Sequence, residues 1–220
     1  MTRLLLASAS PARKTTLRAA GIEPEVRVSD VNEPAVLAAT AAREGGLSVA
    51  RSVLVLARAK AEAVAGRLAA DPGDPGRPGD PGDLVVLGCD SMLELDGRAL
   101  GKPTDAADAM ARWHAMRGRS GVLHTGHWLI DARTGGTGTA HGQTASTTVW
   151  FADASEAEIA AYVATTEPLH VAGAFTIDGL GGPFVERIAG DHHNVVGLSL
   201  PLLRRLLAGI GVAVTDLWAH

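Results

Sequence analysis

Apolar and polar positions along the chain switch between two periods, and the switches mark its elements. Leu4 to Ala7 is a short apolar run that passes straight into two serines, Pro11, Arg13 and Lys14 before helical spacing resumes through Leu17. That order predicts a strand, a loop and a helix, with Ser10 at the N-cap and Pro11 in the first turn. "PEVRVSDVNE" alternates as a short strand does and ends in an acidic loop carrying Asp30 and Glu33. From Leu47 to Ala70 the chain is rich in helix formers, with Leu, Val and Ala at helical spacing and Arg58, Lys60 and Glu62 between them, so a long helix is expected.

Repeated Asp-Pro-Gly units from Asp71 to Asp83 can neither continue that helix nor bury apolar area. They predict a mobile surface insertion within one domain, 1–220, because closing even a long loop costs little entropy. "LVVLGCD" then reads as a fully apolar strand ending in Asp90, and "SMLELDGRAL" as a hairpin around Asp96-Gly97. "DAADAMARWHAM" predicts a helix between Pro103 and Gly118. Two strands, "SGVLHTGHWLIDA" and "TASTTVWFAD", flank a glycine-rich loop from Thr134 to Gly142. Helices at "SEAEIAAYVAT" and "LPLLRRLLAGI" frame a glycine-rich segment, "GAFTIDGLGGPFVERIAGD". Strands and helices mix without strict alternation, which favours an α/β sheet of mixed direction.

With 220 residues, 46% of them hydrophobic, the chain has enough apolar mass for a real core. Its formal net charge of −4 gives no overall field for a nucleic acid polymer or an acidic membrane, so any anion site must be assembled locally. No apolar stretch approaches the roughly 18 residues of a membrane span, and the N-terminal apolar run is too short for a signal peptide. Together with a single cysteine, Cys89, which excludes an internal disulfide framework, this predicts a cytoplasmic protein.

Three places carry chemistry. At the first strand-to-helix turn a phosphate would meet helix N–H groups, the Ser8 and Ser10 hydroxyls and the Arg13 side chain; an ordinary N-cap is the plainer reading of the same residues. Asp90, an acid at the end of an apolar strand, can hold a divalent metal or activate water. Lys60 and Lys102 join Arg13 as cations, and a triphosphate needs several positive partners. Other features read as structural. "DHHN", Asp191 to Asn194, lacks supporting ligands for a metal, "GLGGP" is no dinucleotide fingerprint, and Cys89 has no base to make it a nucleophile.

These motifs, in this order, resemble the Maf-like nucleoside triphosphate pyrophosphatases. "LASASPAR" is similar to that family's Leu-Ala-Ser-x-Ser-Pro-Arg-Arg, Asp90-Ser91 to its Asp-Thr pair, Gly101 to Pro103 to its Gly-Lys-Pro, and Lys60 in "ARAKAEAV" to its helix lysine. "GRSGVLHTG" and "HNVVGLSLPLL" extend the resemblance over nearly the whole chain. It implies a long twisted mixed β-sheet with two lobes around a central cleft, usually in a homodimer. It also implies hydrolysis of a nucleoside triphosphate to the monophosphate and pyrophosphate with a divalent cation, Mg2+, Mn2+ or Co2+. Asp90 would be catalytic, with Lys60 and Lys102; Ser8, Ser10 and Arg13 would hold phosphate, and Asp90 with Glu33 the metal. A nucleotide-binding regulator of septum formation and cell division is the alternative function.

Three positions depart from the family pattern. Ala12 replaces the first arginine of the pair, leaving Lys14 or Arg18 to supply its charge. The histidine expected after Gly-Arg falls at Gly121, with His124 nearby but out of register. Asp178 stands where many members carry Gln and others Glu, and a carboxylate there could accept from the two donors of a guanine edge.

Overall fold

The computed structural model describes residues 2–70 and 83–219. The Asp-Pro-Gly insertion lies outside the described residues except for Asp83. The elements run β1 (Arg3–Leu6), α1 (Pro11–Ala19), β2 (Glu25–Val26), α2 (Glu33–Glu44), α3 (Val49–Ala70), β3 (Leu84–Leu95), β4 (Arg98–Leu100), α4 (Ala106–Met116), β5 (Ser120–Asp131), β6 (Ala140–Phe151), α5 (Glu156–Ala164), β7 (Val185–Ala189), α6 (His192–Val196) and α7 (Leu200–Ala208). Local chemistry accounts for the boundaries. Ser10, Asn32, Asp105, Ser155 and Ser199 cap five helices with their side-chain oxygens. The β3–β4 hairpin turns on Asp96 and Gly97, both at positive φ, as a two-residue turn requires.

The strands form one mixed sheet in the order β2-β1-β3-β5-β6-β7, with β4 also on β3. β1 runs parallel to β2 and β3, whereas β3, β5, β6 and β7 are successively antiparallel. One edge of β3 pairs with β5 along Val85 to Glu94. Its other edge is shared: β1 pairs with Leu84 to Leu87, and β4 with Leu93 to Leu95. Gly88 to Met92 therefore have no strand on that side, and the sheet has a gap at its centre.

Helix α3 crosses the face to which the even-numbered residues of β3 point. It can lie close because a Cβ at Gly88 would sit 2.1 Å from the Ala57 carbonyl oxygen, and one at Gly126 would sit 2.2 Å from that of Val53. Leu5, Ala61, Val64 and Val86 fill the space beneath α3. On the opposite face Leu6, Leu87, Cys89 and Leu129 pack against Leu202, Leu203 and Leu206 of α7. A separate core gathers Leu93, Leu123 and Phe151 with Trp113 of α4 and Tyr162 of α5. Trp113 meets Phe151, Tyr162 and Phe184 edge-on, and its indole N–H donates to the Ala174 carbonyl at 2.8 Å. The first two cores lie on the β1 side of the gap, around Leu84 to Cys89, and the third on the β4 side, around Leu93 and Leu95.

The pattern misplaced some boundaries. Strand β3 does not stop at Asp90 but continues to Leu95, because the β5 ladder supports the backbone after the side chains turn polar. Strand β6 begins at Ala140, inside the expected loop, and Gly142 is a point of close approach where a Cβ would meet the His127 carbonyl at 2.2 Å. Helix α2, the strand β7 and the short α6 had no counterpart in the pattern. Among the described residues, no helix is long and apolar enough to cross a membrane.

Candidate active site

The gap in the sheet collects the charged residues. Asp90 projects toward α3, where the Lys60 ammonium donates to its Oδ1 at 2.6 Å and also reaches Glu33 Oε1 at 2.8 Å. The side chains of Lys60 and Asp90 are only 13% and 11% exposed, so their pairing is poorly screened, whereas that of Glu33 is 45% exposed. Burial pushes the Asp90 carboxyl above its ordinary value, against the pull of the Lys60 and Arg13 charges. Its Oδ2 makes no hydrogen bond among the described residues. One oxygen is thus tied to a cation while the other has no hydrogen-bond partner among the described residues.

Arg13 lines the other wall and takes the place of the missing strand. β1 ends where the Ala7 N–H donates to the Leu87 carbonyl, and the next carbonyl along that edge, Cys89, accepts from Arg13 Nη1 at 3.0 Å. Nη1 also donates to Ser8 Oγ at 2.8 Å, Nε to the Gly197 carbonyl at 2.7 Å and Nη2 to Ser91 Oγ at 2.9 Å. Every one of these partners is neutral, so among the described residues no carboxylate is hydrogen-bonded to this buried guanidinium. Ser91 continues the chain to Thr125 Oγ1 at 2.9 Å, and Thr125 donates to the Asn194 carbonyl. The loop between β1 and α1 is held by its own serines: Ser8 Oγ accepts from the Ser10 N–H, and Ser10 Oγ from the Arg13 N–H.

The structure brings together Asp90, Lys60 and Glu33, and separately Ser8, Ser10 and Arg13. Lys102 stands just past β4, whose antiparallel register leads the chain back from Leu93 toward the gap; it is exposed, and among the described residues its ammonium makes no hydrogen bond or ion pair with Asp90. Its loop is fixed by Arg112, which donates to the Gly101 carbonyl at 2.6 Å. Asp178 is exposed in the loop before β7 and, among the described residues, bonds to none of the cluster. Of the two cations considered as substitutes at Ala12, Arg18 is taken by Glu23 at 2.6 Å. Among the described residues no group of three or more His, Cys, Asp or Glu side chains forms a metal cluster. Asp191 caps α6, and burial pushes the Cys89 thiol up to about 11, in keeping with their structural readings.

Two histidines of β5 were given no role by the sequence pattern. His124, buried on the same sheet face as Asp90, joins Glu94 at 3.0 Å and Ser146 at 2.8 Å, tying β3, β5 and β6 across the sheet. His127 is fully buried on the opposite face: its Nε2 accepts from the Ser199 N–H at 2.8 Å, so the proton lies on Nδ1, which donates to the Thr125 carbonyl. Burial depresses its pKa to about 4, below the unfolded value of about 6.5. The unfolded chain then binds the extra proton first, so this stabilisation is complete above about pH 6.5 and is lost as pH falls toward about 4, up to roughly 3 kcal/mol. The urea midpoint of the wild type should fall between pH 7 and pH 5 by more than that of His127→Gln; equal falls would contradict this assignment.

Fold and site together define a mixed α/β protein with an interrupted central sheet, in which a carboxylate pair shares a lysine and a buried arginine has neutral hydrogen-bond partners. Residues 3–210 match the Maf-like proteins, and the chain belongs to that family. A relative from Salinispora tropica is 58% identical over 218 residues, 99% of this chain and 88% of its own. One from Streptomyces coelicolor is 55% identical over 99% of this chain and 95% of its own, and one from a Mycobacterium species (strain JLS) is 49% identical over 100% and 99%. All three bear the name nucleoside triphosphate pyrophosphatase.

Proposed function

We propose that this protein hydrolyses nucleoside triphosphates to the monophosphate and pyrophosphate in the cytoplasm, using a divalent cation. The names of the relatives support the reaction. The observation that carries it to this chain is the buried Asp90, with one oxygen bound to Lys60 and the other without a hydrogen-bond partner among the described residues. The oxygen of a water molecule forms a bond to the α-phosphorus, the bond from that phosphorus to the bridging oxygen breaks, and the electron pair leaves with pyrophosphate. Asp90 Oδ2 takes the proton of the attacking water, a task to which its raised pKa suits it. Lys60 and Arg13 oppose the charge that develops on the phosphate oxygens, and Lys102, free at the rim, meets the far phosphates.

The donors present fit a hard divalent cation. Asp90 and Glu33 come from different elements and already converge on a single positive charge, and Mg2+-type sites use one or two carboxylates completed by water and substrate phosphates. Bound there, such an ion would neutralise phosphate charge and lower the pKa of water. Asp178, exposed and unpaired, reads the base and favours a guanine-type edge, whose two adjacent donors suit a carboxylate. The enzyme works as a homodimer.

Pyrophosphate release from a panel of standard and modified nucleoside triphosphates, with Mg2+, Mn2+ or Co2+ and with chelator, tests this reading. Release that needs a cation and ranks the bases is the expected result. Bound nucleotide without release would contradict it. Asp178→Asn should lower kcat/KM for the preferred base by about tenfold, the worth of one mispaired polar contact.

A further inference from the structure

Glu167, absent from any motif, holds the loop that carries Asp178. It begins a short 3-10 turn after Thr166, which sits at positive φ. Its Oε1 accepts from the Thr176 hydroxyl at 2.6 Å, the Tyr162 hydroxyl at 3.1 Å and the Gly181 N–H at 3.2 Å. Its Oε2 accepts from the Leu180 N–H at 3.1 Å. Tyr162 and Thr176 close the ring: the Thr176 N–H donates to the tyrosine oxygen at 3.2 Å, and the Gly181 N–H to Thr176 Oγ1 at 3.1 Å.

The loop from Thr176 to Gly181 is thereby wrapped around one carboxylate, tightly enough to dictate its sequence. A Cβ at Gly179 would lie 2.7 Å from Glu167 Oε2, and one at Gly181 2.5 Å from the Tyr162 hydroxyl. What the loop presents outward is equally defined. Asp178 is exposed with no partner among the described residues, and Leu180 beside it is 58% exposed, a large apolar side chain held in water. A fixed acceptor next to an apolar surface matches a heteroaromatic ring with N–H groups on its edge.

We propose that Glu167 is a positioning residue for substrate selection: its carboxylate holds the 176–181 loop in the one shape that offers Asp178 and Leu180 to a purine base bearing adjacent N–H donors. The inference rests on the reading of Asp178 as the base contact. Four donors converge on Glu167, and a glutamine in its place turns one acceptor into a donor facing an N–H or hydroxyl, so the loop loses its clasp while the core around Trp113 and Phe151 stays intact.

The test compares steady-state kcat and KM for the guanine, adenine, cytosine and uracil triphosphates in wild type, Glu167→Gln, Tyr162→Phe and Asp178→Asn. Glu167→Gln should raise KM for the preferred nucleotide by about tenfold, change kcat by less than about threefold, and level the ranking of bases. Tyr162→Phe, which removes one contact to the carboxylate and the acceptor of the Thr176 N–H, should move the ranking the same way by less, and decides the matter if Glu167→Gln fails to fold. A folded Glu167→Gln with wild-type KM values, or with kcat lowered equally for every base at unchanged ranking, overturns the proposal. If Asp178→Asn shifts the ranking and Glu167→Gln does not, the clasp is wrong; if only the Glu167 variant shifts it, the clasp stands and the Asp178 reading falls.

Discussion

Asp90→Asn should leave the protein folded and lower turnover by about a hundred- to ten-thousand-fold, the span of a lost general base. Asparagine keeps the shape of the side chain and an oxygen for Lys60 to bond. The lysine also keeps the Glu33 carboxylate at 2.8 Å, so no buried charge is stranded, and the thermal midpoint should move by only a few degrees. What disappears is the second carboxylate oxygen, the one not bonded to Lys60. Single-turnover rates with nucleotide at saturation, set beside a thermal melt, separate the two effects. A folded variant with the wild-type rate would remove Asp90 from the chemistry.

Gly88→Ala should disable the protein by a different route. The added methyl would start 2.1 Å from the Ala57 carbonyl and 2.9 Å from the Ala61 nitrogen, both backbone atoms of α3 that cannot rotate away. The helix must lift from the sheet. Overpacking of this kind costs about 1–3 kcal/mol, and contact with backbone places this case at the upper end. Lys60 rides on the same stretch of helix, between Ala57 and Ala61, so the displacement also separates it from Asp90. A misplacement of about 1 Å in a catalytic group is worth about a hundredfold in rate. Chemical denaturation and kcat should therefore fall together in Gly88→Ala, whereas in Asp90→Asn only kcat falls. An unchanged denaturation midpoint would contradict the close packing of α3 on β3.

These two residues also show what the sequence reveals and what it hides. Ser10 and Pro11 after an apolar run specify a strand, a loop and a capped helix, and the structure has β1, Ser10 as N-cap and α1 in those places. That information is local. Asp90 was conspicuous as an acid following apolar residues, but its setting was not legible. The gap exists because β1 and β4, far apart in sequence, pair with different stretches of one edge of β3, and no residue in Gly88 to Met92 records that.

Helix α2, which delivers Glu33, escaped notice because its apolar residues are mostly small and exposed; among its residues only Thr40 is buried, so no hydrophobic stripe marks it. Arg13 looked like a simple phosphate ligand, whereas its bonds to Ser8, Ser91 and two carbonyls also make it the structural filler of the gap. Glu167 was invisible for a related reason. Two of its partners are backbone N–H groups 13 and 14 residues downstream, and backbone groups leave no trace in composition.

Hydrolysis of a nucleoside triphosphate in 18O-labelled water tests the central claim most directly, with the products separated and each phosphate analysed for the label. Attack at the α-phosphorus opposite Asp90 predicts one labelled oxygen in the nucleoside monophosphate, unlabelled pyrophosphate, and loss of both products in Asp90→Asn. Label in pyrophosphate or in inorganic phosphate, or products formed at the same rate without the Asp90 carboxylate, would contradict the account.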